Sequence, residues 1–112
     1  MTIELLYWEG CPSHPQALAE LREALADLGH PDAEVVLRHV GSEHEAAELG
    51  FCGSPTIRVD GEDPVPPPPD EPTGLTCRVY ELADGRYSPT PDAGALRDGL
   101  RRLFTSGEEG QP

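Results

Sequence analysis

Cys11 is the residue of this chain best placed for chemistry, because it lies between a predicted strand and a predicted helix. A thiol at a helix start meets unpaired backbone N–H groups and the positive end of the helix dipole, and both favour the thiolate. His14, about one helical turn further on, adds positive charge when it is protonated. Nearby Glu9 and the acidic chain oppose another anion, so we expect the thiolate to be favoured only moderately. The pattern favours a reactive thiol over a structural one.

A second feature is the proline of Gly53-Ser54-Pro55-Thr56, which stands where a strand is predicted to begin. Proline has no N–H to donate inside a central strand, so at such an entry it lies at an edge or in a cis turn. Because this strand entry must face the loop that carries Cys11, where a trans bond would project the backbone differently, we predict a cis peptide bond between Ser54 and Pro55.

Four predicted strands and three predicted helices position these residues. Apolar and alternating runs indicate strands at 3–8, 34–40, 56–59 and 77–82. At Ser13 and Ser42, a serine followed three residues later by Gln or Glu predicts a capping box and a helix start. The first helix carries a leucine stripe and ends at Gly29, and the second runs through Leu49. The third begins at 90–92 and carries an apolar stripe through 104.

The element order β-α-β-α-β-β-α predicts an α/β fold with one mixed four-stranded sheet and helices on both faces. The strand–helix–strand start implies a right-handed crossover and a parallel first pair. Residues 1–104 form the predicted domain, and residues 105–112 are predicted to be a disordered acidic tail. Residues 62–73 hold six of the 13 prolines. We expect a stiff surface loop there, with a ligand for a proline-recognising groove as the alternative.

Composition narrows the classes of partner. The 112 residues suit one domain, and 21 acidic against 8 basic residues give a net charge of −13, which disfavours nucleic acid and anionic membranes. No run approaches the ~18 apolar residues of a membrane span. Three cysteines, an odd number, argue against a disulfide-stapled secreted scaffold. We expect a soluble, cytoplasmic protein, and the oligomeric state stays open.

The two motifs together resemble those of the thioredoxin-like superfamily, in which a Cys-Pro-x-Cys-type motif caps the first helix and faces a cis-proline before the third strand. Here the matching residues are Cys11-Pro12-Ser13-His14 and Ser54-Pro55-Thr56. The chain also resembles small bacterial thioredoxin-like proteins labelled alkylmercury lyase-like. That resemblance rests on Gly10-Cys11-Pro12, Ser54-Pro55-Thr56, Val59-Asp60-Gly61 and Cys77-Arg78-Val79-Tyr80. The lyase activity itself is not carried over.

The resemblance implies that Cys11 is the reactive thiolate and that Pro12, Ser54 and Pro55 shape a substrate groove. His14 stands where a dithiol enzyme has its second cysteine. Cys52, three residues before the proline, then becomes the candidate resolving thiol.

Cys77 starts the fourth predicted strand. If that strand runs antiparallel to the third, Cys77 lies near Asp60, away from Cys11, and we interpret it as a small buried hydrophobic residue.

Two functions follow as expectations. The first is thiol–disulfide exchange or soft-metal thiolate chemistry in a possible monothiol oxidoreductase, with Cys11, His14 and Cys52 as site residues. The same three side chains are the candidate metal ligands, because thiolates and imidazole suit soft or borderline ions. The partner is a protein or small-molecule thiol or disulfide, or a soft metal, and no cofactor is predicted. The alternative function is a non-catalytic thioredoxin-fold binding module.

Overall fold

A computed structural model describes the backbone of residues 2–109 and the side chains of residues 2–105. The elements in chain order are strand β1 (Ile3–Tyr7), helix α1 (His14–Asp27), strand β2 (Val35–His39), helix α2 (Glu43–Leu49), strand β3 (Thr56–Val59), strand β4 (Tyr80–Glu81), strand β5 (Tyr87–Ser88) and helix α3 (Ala93–Glu109). The first five elements lie close to their predicted positions. Among the described residues, no helix combines the length and the apolar character that crossing a bilayer requires.

β1 is the centre of a three-stranded mixed sheet with the order β2-β1-β3. It runs parallel to β2, with Ile3 opposite Val35, and this confirms the parallel pairing predicted from the strand–helix–strand start. It runs antiparallel to β3, with Ile3 opposite Val59. The sheet therefore places the ends of β1 and β2, and the beginning of β3, at one edge, where Cys11 leaves β1.

The predicted four-stranded sheet is wrong, because β4 pairs with β5 in a separate two-stranded sheet. The alternating pattern at 77–82 is satisfied by a short hairpin that turns at Asp84 and Gly85. A single parallel bridge joins Cys77 to Ser54. Beyond that bridge the segment is linked to the start of β3 by side chains, since the Tyr80 hydroxyl donates to the Pro55 carbonyl at 2.7 Å.

The prediction of helices on both faces of a four-stranded sheet is also wrong, because both long helices pack on one side of the three-stranded sheet and only the short α2 meets the other. Alternate residues of a strand point to opposite faces, so Leu5 and Leu6 belong to different clusters. Leu5 packs in one buried cluster with residues of α1 and α3, including Leu21 and Leu100. The Leu6 cluster contains Val40, Ala46 and Phe51, of which only Ala46 belongs to a helix.

The structure adds detail at the start of the proline-rich loop and at the end of the chain. Pro64 is buried, and its carbonyl lies so close to Gly99 of α3 that a Cβ there would clash. The start of the loop is therefore fixed to the domain. α3 continues through Glu109 and so includes residues 105–109 of the predicted tail, while residues 110–112 lie outside the described part.

Candidate thiol site

Cys11 lies in the short turn that joins β1 to α1. Its N–H donates to the Trp8 carbonyl at 3.0 Å, and α1 begins three residues later. The residue is fully buried, at 0% exposure. Its Sγ lies 3.4 Å from the carbonyl oxygen of Ser54, to which it donates. The turn thus carries the thiol inward, against the residue that precedes Pro55.

Cys77 is held beside the same residue by backbone hydrogen bonds. The Ser54 N–H donates to the Thr76 carbonyl, and the Arg78 N–H donates to the Ser54 carbonyl, both at 2.8 Å. Gly53 allows this close approach: it has a φ of +141°, and a Cβ there would lie within 2.9–3.1 Å of the backbone of Cys77 and Arg78. The result is a thiol fixed by strand-like pairing on one side and exposed on the other.

The sulfur atoms of Cys77 and Cys11 lie 2.7 Å apart, with Cys77 as the donor. The prediction that Cys77 lies at the far end of the sheet is therefore wrong, because the chain approaches Ser54 in the parallel direction. An S–S bond measures about 2.03–2.05 Å, so the two sulfur atoms lie roughly 0.7 Å further apart than in a disulfide. The exposed thiol of Cys77 thus contacts the buried thiol of Cys11.

Cys52 faces elsewhere. Its Sγ lies 3.5 Å from the carbonyl oxygen of Glu71 and 3.7 Å from that of Gly50. The structure therefore brings Cys11 together with Cys77 rather than with Cys52, the candidate chosen from sequence. Cys52 was chosen because it lies three residues before Pro55, but closeness to Pro55 along the chain does not bring its side chain into contact with Cys11.

His14 packs against β1 instead of the sulfur of Cys11. Its ring stacks on Tyr7, with 4.4 Å between centroids and 21° between planes. Its Nδ1 lies 3.4 Å from the carbonyl oxygen of Cys11. These contacts orient the turn that carries the thiol, and they involve the backbone of Cys11 rather than its Sγ.

The residues predicted to shape a substrate groove differ in exposure. Pro12 is exposed, whereas Ser54 and Pro55 are buried. The peptide bond between Ser54 and Pro55 is cis, which confirms that prediction. The Ser54 hydroxyl is 0% exposed and has no hydrogen-bond partner among the described residues. The backbone of Ser54 serves the site directly, because its carbonyl oxygen accepts from Cys11 Sγ and from the Arg78 N–H.

A buried polar network around Arg78, which sequence reasoning missed, holds the chain next to Cys77. Arg78 is only 4% exposed and pairs with the Asp63 carboxylate at 2.9 Å. Its guanidinium also donates to the Thr56 hydroxyl at 3.2 Å and to the Val65 carbonyl at 2.7 Å, and it lies over the ring of Tyr80. This network ties the proline-rich loop, the start of β3 and the segment after Cys77 to one cation. An arginine and an aspartate 15 residues apart gave no local signal of it.

Burial and contact shift three titrations at the site. The hydrogen bond from Cys77 to Cys11 is the main reason that the pKa of the Cys77 thiol rises from 9.0 to about 11, and burial and the charge of Cys11 add to it. Burial raises the pKa of Asp63, against the opposing effect of Arg78. Burial likewise raises the pKa of Tyr80 above its usual value. The raised pKa of Cys77 keeps its thiol protonated at neutral pH.

The structure does not assemble the metal site considered from sequence. Cys11, His14 and Cys52 have the separate surroundings described above. Within residues 2–105, no group of three or more His, Cys, Asp or Glu side chains is arranged to hold a metal ion.

Comparisons of this chain with protein-family models, with curated proteins and with solved structures found no match.

Proposed function

We propose that the protein carries out thiol–disulfide exchange with Cys11 and Cys77 as its redox pair. The observation that carries the proposal is the 2.7 Å contact between their sulfur atoms. Two thiols at that separation are near disulfide-bonding distance, and an external disulfide can oxidise them to an intramolecular disulfide. The resemblance of the Cys11 and Pro55 motifs to those of thioredoxin-like proteins supports the same function.

The difference in exposure assigns an order to the two thiols. Cys11 is fully buried, so an external disulfide reaches Cys77 first. The Cys77 thiolate attacks one sulfur of the disulfide RSSR, forms a mixed disulfide and releases RS⁻. The Cys11 thiolate then attacks the Cys77 sulfur and releases the second RS⁻. The protons of the two protein thiols end on the two RSH products, and the protein is oxidised by two electrons.

The surroundings of the pair hold the two thiols in place for this order and make its first step pH-dependent. The Ser54 carbonyl and the neighbouring backbone hold both cysteines, so Cys11, the resolving thiol, lies next to Cys77, which reacts first. The raised pKa of Cys77 makes its thiolate scarce at neutral pH, and exchange therefore accelerates as the pH rises toward 11. We place the protein in the cytoplasm, where cellular thiols return such a disulfide to the reduced state.

Peptide mapping after mild oxidation tests the pairing directly. Cleavage after arginine puts the three cysteines on separate peptides, 1–22, 39–58 and 59–78. After treatment of the reduced protein with excess 2-hydroxyethyl disulfide, the expected product joins peptides 1–22 and 59–78, with the loss of the Cys11 and Cys77 thiols.

Two matched serine variants complete that experiment. Cys77→Ser abolishes the joined product, whereas Cys52→Ser leaves it unchanged. A product that joins 1–22 to 39–58, or a protein in which Cys11 and Cys77 stay reduced, would overturn the proposed pair. A pair that stays reduced would leave the non-catalytic binding module as the better account.

A further inference from the structure

The exposed face of Cys77 opens into a cavity of about 330 Å³. Cys52 and Cys77 both line it, and Pro67, Pro68 and Val79 supply apolar surface. Val79 is 68% exposed although it is a large aliphatic residue next to the entering thiol. The cavity therefore stands where a disulfide must arrive in order to react with Cys77.

The size of the cavity selects the size of the substrate. Its volume is near the lower end of the ~300–1,000 Å³ that is usual for small-molecule sites. Pro67 and Pro68 form a stiff wall, since the proline ring fixes the backbone torsion φ. A compact disulfide with short aliphatic arms fits between this wall and Val79, whereas a disulfide within a folded protein stays at the rim.

The charges around the cavity select the charge of the substrate. Glu71 lines it, and Glu43 lies close by, where its carboxylate accepts from the Leu75 N–H at 3.1 Å. Arg78 also lines the cavity, but its guanidinium is engaged by the Asp63 carboxylate and by the Val65 carbonyl. With a chain charge of −13, the site disfavours an approaching anion.

We infer that the cavity beside Cys77 is the substrate site and that it takes small aliphatic disulfides which are uncharged or cationic. This inference rests on the proposed thiol–disulfide exchange. The chemistry is the same balanced reaction: one RSSR enters the cavity, two RSH leave it, and the Cys11–Cys77 pair becomes a disulfide.

Three small disulfides of different charge test the inference: cystamine (cationic), 2-hydroxyethyl disulfide (neutral) and oxidised glutathione (anionic). Each rate of formation of the Cys11–Cys77 disulfide is divided by the rate of the same compound with a reference cysteine peptide. The expected order is cystamine, then 2-hydroxyethyl disulfide, then oxidised glutathione. We expect a spread of about tenfold at low ionic strength, where the Debye length is roughly 30 Å, and a smaller one at 1 M salt.

Charge reversal locates the selection. Glu71→Lys should lower the advantage of cystamine over oxidised glutathione by about threefold or more at low salt. Glu34→Lys changes the net charge equally but lies outside the cavity lining, so it should have a smaller effect.

The failures of the two proposals are distinguishable. If all three compounds oxidise the pair with the same normalised rate, and Glu71→Lys behaves like Glu34→Lys, the substrate site is wrong while the exchange function stands. If none of the three oxidises the pair, the exchange function itself is wrong, and the inference falls with it.

Discussion

The two proposed redox cysteines lie in regions that are held together in different ways. Cys11 follows β1 and precedes α1, where burial of apolar side chains such as Leu5, Leu21 and Leu25 provides the packing. Cys77 belongs to the segment 62–81, in which regular structure is limited to the two residues of β4. That segment is held by the Arg78 network and by its hydrogen bonds to Ser54.

The difference shows that an irregular segment can fix the position of a thiol as firmly as a β-sheet does. Apolar burial is strong but non-directional, whereas each hydrogen bond of Arg78 requires a partner at a set distance and angle. The network therefore defines the path of the chain on both sides of Cys77. The network is also more sensitive to substitution than the apolar core, because removing one partner leaves the other polar groups buried without a hydrogen bond.

Removal of the Arg78 cation should give the largest effect on stability. Arg78→Met retains much of the side-chain volume but leaves the Asp63 carboxylate and the Val65 carbonyl without their donor. Breaking a buried pair in this way costs about 3–5 kcal/mol, and the loss is measured as the change in the free energy of unfolding in urea.

An exposed ion pair supplies the matched control. Arg97 and Asp27 lie 3.7 Å apart with side chains 38% and 53% exposed, so Arg97→Met should cost at most about 1 kcal/mol. The double variant Arg78→Met with Asp63→Leu should recover part of the loss, because no buried charge is then left unpaired. Equal losses for Arg78→Met and Arg97→Met would show that the network does not hold the segment.

Removal of the buried sulfur should give the next largest effect, on the reactivity of the exposed one. In Cys11→Ala the hydrogen bond that raises the pKa of Cys77 to about 11 is lost, so that pKa falls toward 9.0. The thiolate fraction at pH 7 then rises up to ~100-fold, but intrinsic nucleophilicity falls with pKa at a Brønsted slope of about 0.4–0.5. We expect iodoacetamide to modify Cys77 about tenfold faster.

The pH profile sharpens this measurement. With Cys11 retained, alkylation of peptide 59–78 should increase up to about pH 11, and in Cys11→Ala the midpoint should move to lower pH. Both proteins carry Cys52→Ala, so that the thiol in the same cavity does not compete for the reagent. A midpoint near 8.5–9 in both would contradict the hydrogen bond between the two sulfur atoms.

The same division explains how much of the fold follows from sequence. β1, α1, β2, α2 and β3 were predictable, since each has a local pattern of apolar residues that matches its own period. The position of 77–82 was not, because its alternating pattern suits a fourth strand of the main sheet and a short hairpin equally well. Which of the two forms depends on a pairing partner that is distant in sequence, and the local pattern does not indicate that partner.

The candidate site divides in the same way. The place of Cys11 between β1 and α1 and the cis bond before Pro55 were predictable from their positions at element ends. The choice of Cys52 as partner relied on closeness along the chain, whereas its sulfur contacts the carbonyl oxygens of Gly50 and Glu71. Cys77, whose sulfur lies beside that of Cys11, is positioned by the parallel bridge to Ser54 and by the contacts of Arg78 with Asp63 and Val65, which connect residues that are 13 or more positions apart.

The smallest expected effect compares two serines with the same local signature. Ser42 caps α2, since its Oγ accepts from the Glu45 N–H at 3.0 Å, whereas the Ser13 side chain makes no such bond at the start of α1 in the described structure. Ser42→Ala should therefore cost about 1 kcal/mol in the free energy of unfolding in urea, and Ser13→Ala only a few tenths. The turn before α1 is held instead by the stacking of His14 on Tyr7 and by the contacts of Cys11. Equal losses would mean that the capping signal acts locally at both helix starts, and that the thiol turn owes its shape to Ser13 after all.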